Sequence, residues 1–383
     1  MKAIIVDNFL NYFFKLLFVL INGLFIYKYG LRQHFVPVEF ILIIYTISTS
    51  LILFKNIQQY INHKLNLQFC FKIIVIIAGF TIFLIIFKTD GTSLKVDRWS
   101  AMDVAIKALL NGKYPYTATD HLGGRTSNFP GLLILGIPFY LLGNVGYLQV
   151  FSFLLLSYTL YKNTPIKTAI KYLFLLIISP AFWWEIFSIS DLMSNIIICF
   201  CFIIWWQSIF KNNLLAKPYL LGFSLAFLVL TRGIVAIPLI LLFFKPFITI
   251  KLNLKIKLLF FFSTTFLVLI ILVIFNCPSM EILKNYNPLV LQTSYLPTSI
   301  HLLAIILPFI FALNIKDFHN SYFKHAVILM LFPAFISFCF FWNEYGFKEI
   351  ILNHKSDISY LSMVFPFLIY EISKTHKLIK INS

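Results

Sequence analysis

The segment "LLFFFSTTFLVLIILVIF", Leu258 to Phe275, contains no charged side chain over its whole length. A helix of about 20 apolar residues is long enough to span the hydrocarbon core of a membrane. Similar continuous runs recur along the chain, Phe71 to Phe87 among them, whereas a transmembrane β-barrel would alternate apolar and polar residues. The pattern therefore predicts an all-α fold, a polytopic transmembrane helix bundle.

The composition agrees with a membrane protein and argues against a nucleic-acid-binding protein. Of the 383 residues, 60% are hydrophobic and only 12% are charged, which is about half the charge of soluble domains. The net charge of +17 comes largely from lysines in short loops between apolar runs, the distribution that the positive-inside rule produces. We therefore expect membrane lipid as a partner and no nucleic acid.

The apolar runs predict about twelve spans within a single integral membrane domain, residues 1–383. The N-terminus enters a full-length apolar helix without a small-residue cleavage site, so no cleavable signal peptide is expected. The longest polar interruptions are residues 88–128, 276–300 and 343–357. The predicted spans are residues 9–27, 36–54, 69–87, 129–161, 172–184, 192–210, 219–231, 234–246, 258–275, 301–315, 327–343 and 358–373.

The distribution of lysines predicts how these spans are oriented. The short loop at residues 162–171, the loop that carries Lys55 and Lys64, and the C-terminal tail are all expected in the cytoplasm. Counting crossings between them places both termini in the cytoplasm and the three long polar interruptions outside. Arg232 and the segment Glu185–Asp191 fall on the same outer face.

The two halves of this topology agree only if residues 129–161 cross the membrane once. That run is too long for a simple single crossing. Gly136, Pro138, Gly143 and Gly146 are therefore expected to break it into a tilted or re-entrant half-helix followed by one full span.

The first outer segment, "KVDRWSAMDVAIKALLNGKYPY" at residues 95–116, shows helical periodicity. Apolar residues repeat at a spacing of three and four, and polar residues do so on the opposite side. We predict an amphipathic interfacial helix over residues 98–111, with Trp99 at headgroup depth and Gly112 as its C-terminal stop. Asp97 precedes this helix and would, on the simplest interpretation, be its N-cap.

Several motifs occur in an order that resembles one family of membrane enzymes. Asp97 and "ALLNGKYPY" are followed by "NFPGLLILGIPFYLLG", then by "LGFSLAFLVLTRGIVAIPLILLFFK", an apolar helix that ends in Arg before a second apolar helix, and finally by "SDISYLSMVFPFLIY". Together they resemble the GT-C glycosyltransferases, which use polyprenyl-phosphate-linked sugars, and most closely their mannosyltransferase branch. The chain departs from that branch at residues 128–131, where Tyr-Pro-Pro is common, and in the two helices that precede the one leading into the outer loop.

The resemblance implies a GT-C-like fold and a reaction. That reaction is the inverting transfer of a hexose, mannose in this branch, from a polyprenyl-phosphate donor to a glycan or lipid acceptor on the extracytoplasmic face. Asp97 would be the general base that takes the proton of the acceptor hydroxyl. Arg232, between two apolar runs, would bind the donor phosphate; alternatively it snorkels or pairs with a carboxylate such as Asp191.

Other polar residues are secondary candidates. His121 and Arg125, in "DHLGGRTSN", are candidates for contact with the donor phosphate, although the adjacent glycines are equally typical of a turn. Asp90 and Asp103 are alternative bases, and Asp191, which begins a helix, is either a cap or a further site residue. The last outer loop, unless it is simply a charged loop, adds three phosphate-binding candidates: Lys348, His354 and Lys355.

No cofactor or metal site is predicted. The five cysteines lack metal-ligand spacing, although Asp90 and Asp97 lie close enough in sequence to leave a divalent metal open. Two other functions compete with glycosyl transfer. A transporter or flippase of lipid-linked glycans would show internal repeats with broken helices. In O-antigen-type polymerases, the other alternative, the large outer loop is Arg-rich and lies later in the chain.

The abundance of Lys, Ile, Asn and Phe indicates a low-GC bacterial genome, and hence the bacterial inner membrane. The sugar, the acceptor, the linkage and the oligomeric state are left open by the sequence.

Overall fold

The computed structural model describes residues 2–54, 66–293, 297–352 and 357–374. In these residues the chain forms helices and connecting turns, with one isolated antiparallel bridge between Thr119 and Arg125 and no strand. The predicted all-α class is therefore confirmed. The helices are α1 Lys2–Gly30, α2 Val38–Phe54, α3 Leu67–Lys88, α4 Arg98–Leu110, α5 Pro130–Leu141, α6 Tyr147–Asn163, α7 Ile166–Ile177, α8 Pro180–Phe187, α9 Leu192–Ile209, α10 Pro218–Val229, α11 Ala236–Thr249, α12 Leu252–Ile274, α13 Met280–Asn285, α14 Pro288–Thr293, α15 Thr298–Asn314, α16 Phe323–Tyr345, α17 Phe347–Leu352, α18 Ser359–Ser362 and α19 Phe365–Ser373.

Several of these helices are suited to cross a membrane, which identifies an integral membrane protein. Two bent assemblies, α7 with α8 and α13–α14 with α15, turn by 64° and 68°. In the described part of the chain, five stretches are long and apolar enough on their own, or up to seven if each bent assembly counts as one span. The five are Asp7–Gly30, Leu67–Lys88, Leu192–Ile209, Leu252–Ile274 and Phe318–Tyr345.

Other predicted spans coincide with shorter helices. Helices α2, α5, α10 and α11 have 17, 12, 12 and 14 residues. At 1.5 Å per residue, each is shorter than a hydrocarbon core of about 30 Å. The predicted number of about twelve spans therefore exceeds the five to seven that helix length and composition support.

The long apolar run at residues 129–161 is broken into two helices, as predicted. A turn at residues 142–146 separates α5 from α6, and Gly143 in this turn has a φ of +96°, a conformation that favours glycine. Gly136 and Pro138, which we expected to contribute to the break, lie inside α5. Proline is tolerated within membrane helices because neighbouring groups satisfy the freed backbone, so only the later glycines mark the break.

Of the two helices in this run, only α6 extends along the length of the bundle. Helix α5 begins and ends at the same end of the bundle. Asn144, in the turn before α6, donates from Nδ2 to Ile86 O in the last turn of α3 at 3.2 Å. At its far end α6 lies beside the start of α3, where Tyr161 stacks on Phe71. We call the end of the bundle where α3 ends and α4 begins the α4 end; α5 also starts there, within the site described below.

Helices α9 and α19 form the centre of the bundle. Within its most apolar stretch, 67% of α9 is buried, against 17% of α12, and every residue of α19 is buried. Phe200 of α9 lies 5.4 Å from the ring centroids of both Phe367 and Tyr370, and such aromatic pairs add about 0.5–1.5 kcal/mol each beyond burial. This packing gives a fixed position to α9, at whose start Asp191 lies.

Helix α10 is held against α12 by a close backbone approach. A Cβ atom at Gly222 would lie 2.6 Å from Leu258 O and 2.9 Å from Phe262 N. Only glycine permits two helices to approach so closely at this point. The contact fixes the axis of α10, which ends just before Arg232.

Candidate active site

The predicted amphipathic helix is present as α4, which begins at Arg98 and ends at Leu110, one residue earlier than expected. Its buried face includes Met102 and Ile106, which belong to the same apolar cluster as residues of α5 and α6. Gly112, with a φ of +65°, follows the helix and ends it as predicted.

Trp99, expected at headgroup depth, is half-buried against the protein. A Cβ atom at Gly91 would lie 2.0 Å from its indole ring, so only glycine leaves room for Trp99 in this position. The indole Nε1 donates to Asn144 Oδ1 at 2.9 Å. Trp99 thus fixes the first turn of α4 against the turn that precedes α6.

Asp97 occupies the N-cap position of α4, but its side chain does not cap the helix. The residue has helical φ and ψ angles of −83° and −8°, and its carboxylate accepts no capping hydrogen bond. The side chain is half-buried, and among the described residues it has no hydrogen bond or ion pair. The N-cap interpretation is therefore wrong for this side chain, whose oxygens form no hydrogen bond among the described residues.

The neighbouring Arg98 forms an ion pair with Asp357, from the other end of the chain. The exposed fractions of these side chains are 15% and 30%, and the Arg98 guanidinium also lies 5.8 Å from the centroid of the Tyr360 ring. Burial acts to raise the pKa of Asp357, but the Arg98 guanidinium and the Ser359 N–H, which donates at 2.9 Å, hold that pKa below its usual value. Sequence reasoning missed this pair, because its partners are 259 residues apart.

Arg232 lies between α10 and α11 and is deeply buried, with 3% of the residue exposed. Its Nη2 donates to Asp191 Oδ2 at 2.7 Å and to Asn128 Oδ1 at 2.9 Å. Its Nε is buried and has no hydrogen-bond partner in the part of the chain that the structure describes. The predicted alternative, that Arg232 pairs with Asp191, is confirmed, and one guanidinium donor is left unused.

Asp191 stands at the start of α9 and uses its carboxylate for this ion pair rather than for a cap. Two residues before it, Ile189 has a φ of +46°, which is strained for a β-branched side chain. Such strain is characteristic of functional sites, where the surrounding structure enforces it. Arg98 and Asp191 both line one small cleft at the α4 end; its other residues are Trp99, Met102, Val145, Gly146, Leu148, Gln149, Ile189 and Ser190.

Glu185 lies behind this cleft and was not singled out from the sequence. The side chain is buried, with 2% of the residue exposed, and Oε2 accepts a hydrogen bond from Met193 N at 3.3 Å. Gln149, which lines the cleft, donates from Nε2 to Glu185 O and to Ser190 O, both at 2.7 Å. A Glu within an apolar helix is the signal that would have identified it.

The loop that contains α13 and α14 packs against the segment before α5. Arg125 lies 4.0 Å from the centroid of the Tyr286 ring, and Tyr114 donates from its hydroxyl to Tyr286 O at 2.8 Å. Gln292 donates from Nε2 to Ser127 O at 2.7 Å. The structure therefore brings the predicted outer segments 88–128 and 276–300 together, with Gln292 as a contact that the sequence did not predict.

His121 and its neighbours form a turn that supports α4. His121 Nε2 donates to Leu94 O at 2.7 Å, and Ser100 Oγ of α4 lies 2.5 Å from Nδ1. Asp120 Oδ1 accepts from the N–H groups of Leu122 and Gly124. The turn alternative for "DHLGGRTSN" is confirmed, and both ring nitrogens of His121 are engaged.

The remaining carboxylate candidates lie apart from the cleft. Asp90 is exposed and accepts hydrogen bonds from Thr92 N and its hydroxyl, at 2.9 and 2.8 Å from Oδ1. Asp103 is half-buried on α4, where burial raises its pKa and Lys107 acts in the opposite direction. Among the described residues, neither Asp90 nor Asp103 forms a hydrogen bond with Arg98 or Arg232.

Lys348 is exposed on α17, whereas the other two candidates of the last loop, His354 and Lys355, lie outside the described residues. Over the ranges that the structure covers, no group of three or more His, Cys, Asp or Glu side chains is arranged to hold a metal ion. Comparison of the chain with protein-family models, with curated proteins and with solved structures gives no match.

Proposed function

We propose that this chain is a GT-C-type glycosyltransferase. It transfers a hexose, mannose in the branch it resembles, from a polyprenyl-phosphate donor to a glycan or lipid acceptor, with inversion at the sugar carbon. The observation that carries the proposal is the carboxylate of Asp97, which has no hydrogen bond or ion pair among the described residues although Asp97 directly precedes Arg98, which lines a small cleft together with Asp191.

Asp97 is the general base of the proposed reaction. A base must offer a lone pair to the acceptor hydroxyl within about 3 Å, and a carboxylate occupied by a cap or an ion pair would first have to release its partner. Asp97 meets this requirement as it stands, whereas Asp191 and Asp357 are committed to ion pairs. Of the carboxylates around the cleft, Asp97 is therefore the one suited to take a proton.

Arg232 binds the donor phosphate in this proposal. Charge-assisted hydrogen bonds from a guanidinium to phosphate oxygens are strong, and the low dielectric of a buried site strengthens their effect on the developing charge of the leaving group. The unpaired Nε of Arg232 is a donor that a phosphate oxygen would satisfy. His121 is less suited because both of its ring nitrogens are engaged, and Arg125 lies over the Tyr286 ring in the loops rather than in a buried site.

The finer features of the predicted fold belong to the same proposal. The shorter apolar helices α2, α10 and α11 help to complete a bundle of about twelve passes in the inner membrane of a bacterium, with both termini in the cytoplasm. The α4 end then faces the extracytoplasmic side, where lipid-linked sugars are presented. Contacts between segments 88–128, 185–191, 232 and 276–293 support this arrangement, because all four meet at one end of the bundle.

The test is sugar release from a labelled donor. Membranes that contain the chain are supplied with polyprenyl-phosphate mannose, and with polyprenyl-phosphate glucose as a second donor, and radiolabel leaving the lipid is measured. Asp97→Asn should lower transfer about 10²–10⁴-fold, the usual contribution of a general base, without loss of membrane insertion. Glu39→Gln, an exposed carboxylate of α2, is the matched control and should keep full activity.

Two results would contradict the proposal. Full activity of Asp97→Asn would rule out Asp97 as the general base, and label that changes leaflet while remaining on the lipid would indicate a flippase instead.

Arg232→Lys keeps the charge but loses the guanidinium geometry, so it should raise the donor concentration needed for half-maximal transfer. An unchanged donor dependence would assign Arg232 a purely structural role.

A further inference from the structure

Arg98 is the cation nearest in sequence to the proposed base. A guanidinium one residue away from a carboxylate is a natural ion-pair partner for it, and the charge of Asp97 does act on Arg98. Yet the ion pair of Arg98 is made with Asp357, and Asp97 is left without one among the described residues. The choice between these two carboxylates decides whether the base is free.

We propose that Asp357 is a positioning residue: by holding Arg98 in an ion pair, it keeps this guanidinium away from the Asp97 carboxylate and leaves that carboxylate available as a base. The inference rests on the proposed function and adds to it a role for a residue from the C-terminal part of the chain. Asp357 acts through Arg98 and touches neither donor nor acceptor.

The surroundings of Asp357 favour its ionised form. Its Oδ1 accepts from Ser359 N at 2.9 Å, where α18 begins, and the positive charge of the buried Lys28 of α1 acts on it. The pair is largely removed from water, so its attraction is less screened than that of a surface pair. Asp357 is therefore well placed to compete with Asp97 for the Arg98 guanidinium.

The rest of α4 does not depend on this ion pair for its position. Trp99 is fixed by Asn144, and Ser100 is in contact with His121. Both residues directly follow Arg98 on the first turn of the helix. Release of Arg98 from Asp357 should therefore redirect one side chain toward Asp97 rather than move the helix.

The chemical availability of Asp97 can be measured without any sugar donor. The purified full-length chain in detergent micelles is treated with a water-soluble carbodiimide and glycinamide, which convert accessible protonated carboxyl groups to amides, and labelling at each site is read by peptide mass spectrometry. In Asp357→Asn, labelling of Asp97 should fall about tenfold, the lower end of the effect that an adjacent opposite charge has on carboxyl protonation. Labelling of Asp103, on the same helix, should not change.

Removing Arg98 should reverse the effect. In the double variant Arg98→Gln/Asp357→Asn, labelling of Asp97 should return toward the wild-type value, a rescue that a merely structural role of Asp357 would not produce. Asp357→Glu keeps the charge and should resemble the wild type. If Asp357→Asn alone does not fold, the double variant is compared with Arg98→Gln, and the two should be labelled equally at Asp97.

Two outcomes would overturn the inference. One is unchanged labelling of Asp97 in a folded Asp357→Asn variant, and the other is a several-fold loss of labelling caused by Asp357→Asn when Arg98 is already Gln. Failure of the proposed function looks different. In that case labelling would follow the pattern expected here, while Asp97→Asn would transfer sugar normally or no variant would transfer it at all.

Discussion

Arg232 and Asp191 form an ion pair at 2.7 Å in which the side chains are 4% and 5% exposed. The two residues come from the turn between α10 and α11 and from the start of α9, so the pair ties a peripheral helix pair to the centre of the bundle. Asn128 adds the segment before α5 to this contact. One guanidinium thus joins three parts of the chain at the α4 end.

Loss of Asp191 should lower the free energy of unfolding more than loss of a carboxylate from a partly exposed ion pair. Asp191→Ala leaves a buried guanidinium without its counter-charge, and we expect the free energy of unfolding to fall by about 3–5 kcal/mol. Denaturation in detergent, followed by circular dichroism, measures the change. Asp7→Ala is the comparison: Asp7 is 59% exposed, although its partner Lys324 is only 9% exposed, so water can take the place of the lost carboxylate and the variant should cost less than Asp191→Ala. Equal costs for the two variants would mean that the fully buried pair adds no more than the partly exposed one.

Gly131 should not tolerate a side chain. A Cβ atom at this position would lie 2.6 Å from Phe227 O and 2.8 Å from Leu230 O, and these are backbone atoms that cannot rotate away. Gly131→Ala should therefore push α5 from α10 and lower the free energy of unfolding by about 1–3 kcal/mol. Gly23→Ala in α1 is the control: its Cβ atom would make only an ordinary contact, 3.7 Å from Leu42, and the higher helix propensity of alanine should make the variant neutral or stabilising. An unchanged free energy of unfolding in Gly131→Ala would contradict the close packing of α5 on α10.

Local chemistry made part of this site predictable from sequence. The periodicity around Trp99 and the glycine at position 112 depend on neighbours within one or two turns, and both ends of α4 were predicted to within one residue. The break near Gly143 is local in the same sense, because a positive φ is a property of one residue.

Contacts between distant segments were not predictable in the same way. A sequence indicates that a buried Arg needs a partner, but not which of several carboxylates provides it. Asp191 was one of two alternatives for Arg232, and Asp357 was not considered for Arg98. These choices depend on how α9, α10 and the segment before α18 pack around one end of the bundle, which no local pattern encodes.

Asp103 should make stability depend on pH. Burial raises its pKa in the folded chain above the value in the unfolded chain, so folding disfavours the carboxylate form, and this penalty grows as the pH rises through the folded pKa. Asp103→Asn resembles the protonated form. It should therefore melt at a higher temperature than the wild type at pH 7, with the difference shrinking toward pH 4. Lys107→Gln removes a nearby positive charge and should therefore lower the melting temperature at pH 7. If the melting temperatures of the wild type and Asp103→Asn differ by the same amount at all pH values, titration of Asp103 is excluded as the cause.

The path of the chain between α3 and α7 can be tested by thiol labelling from each side of the membrane. If α5 returns to its starting end and α6 makes the only crossing, single cysteines at Lys113 and Leu142 should react with an impermeant maleimide from one side, and a cysteine at Lys162 only from the other. All three side chains are exposed, and the native cysteines are replaced beforehand because all five are free thiols. A cysteine at Leu142 that reacts from the side opposite to the one at Lys113 would mean that α5 itself crosses the membrane. If the cysteine at Lys162 then reacts from the same side as the one at Lys113, both α5 and α6 cross, and the orientation deduced from the lysine loops would be inverted for one half of the chain.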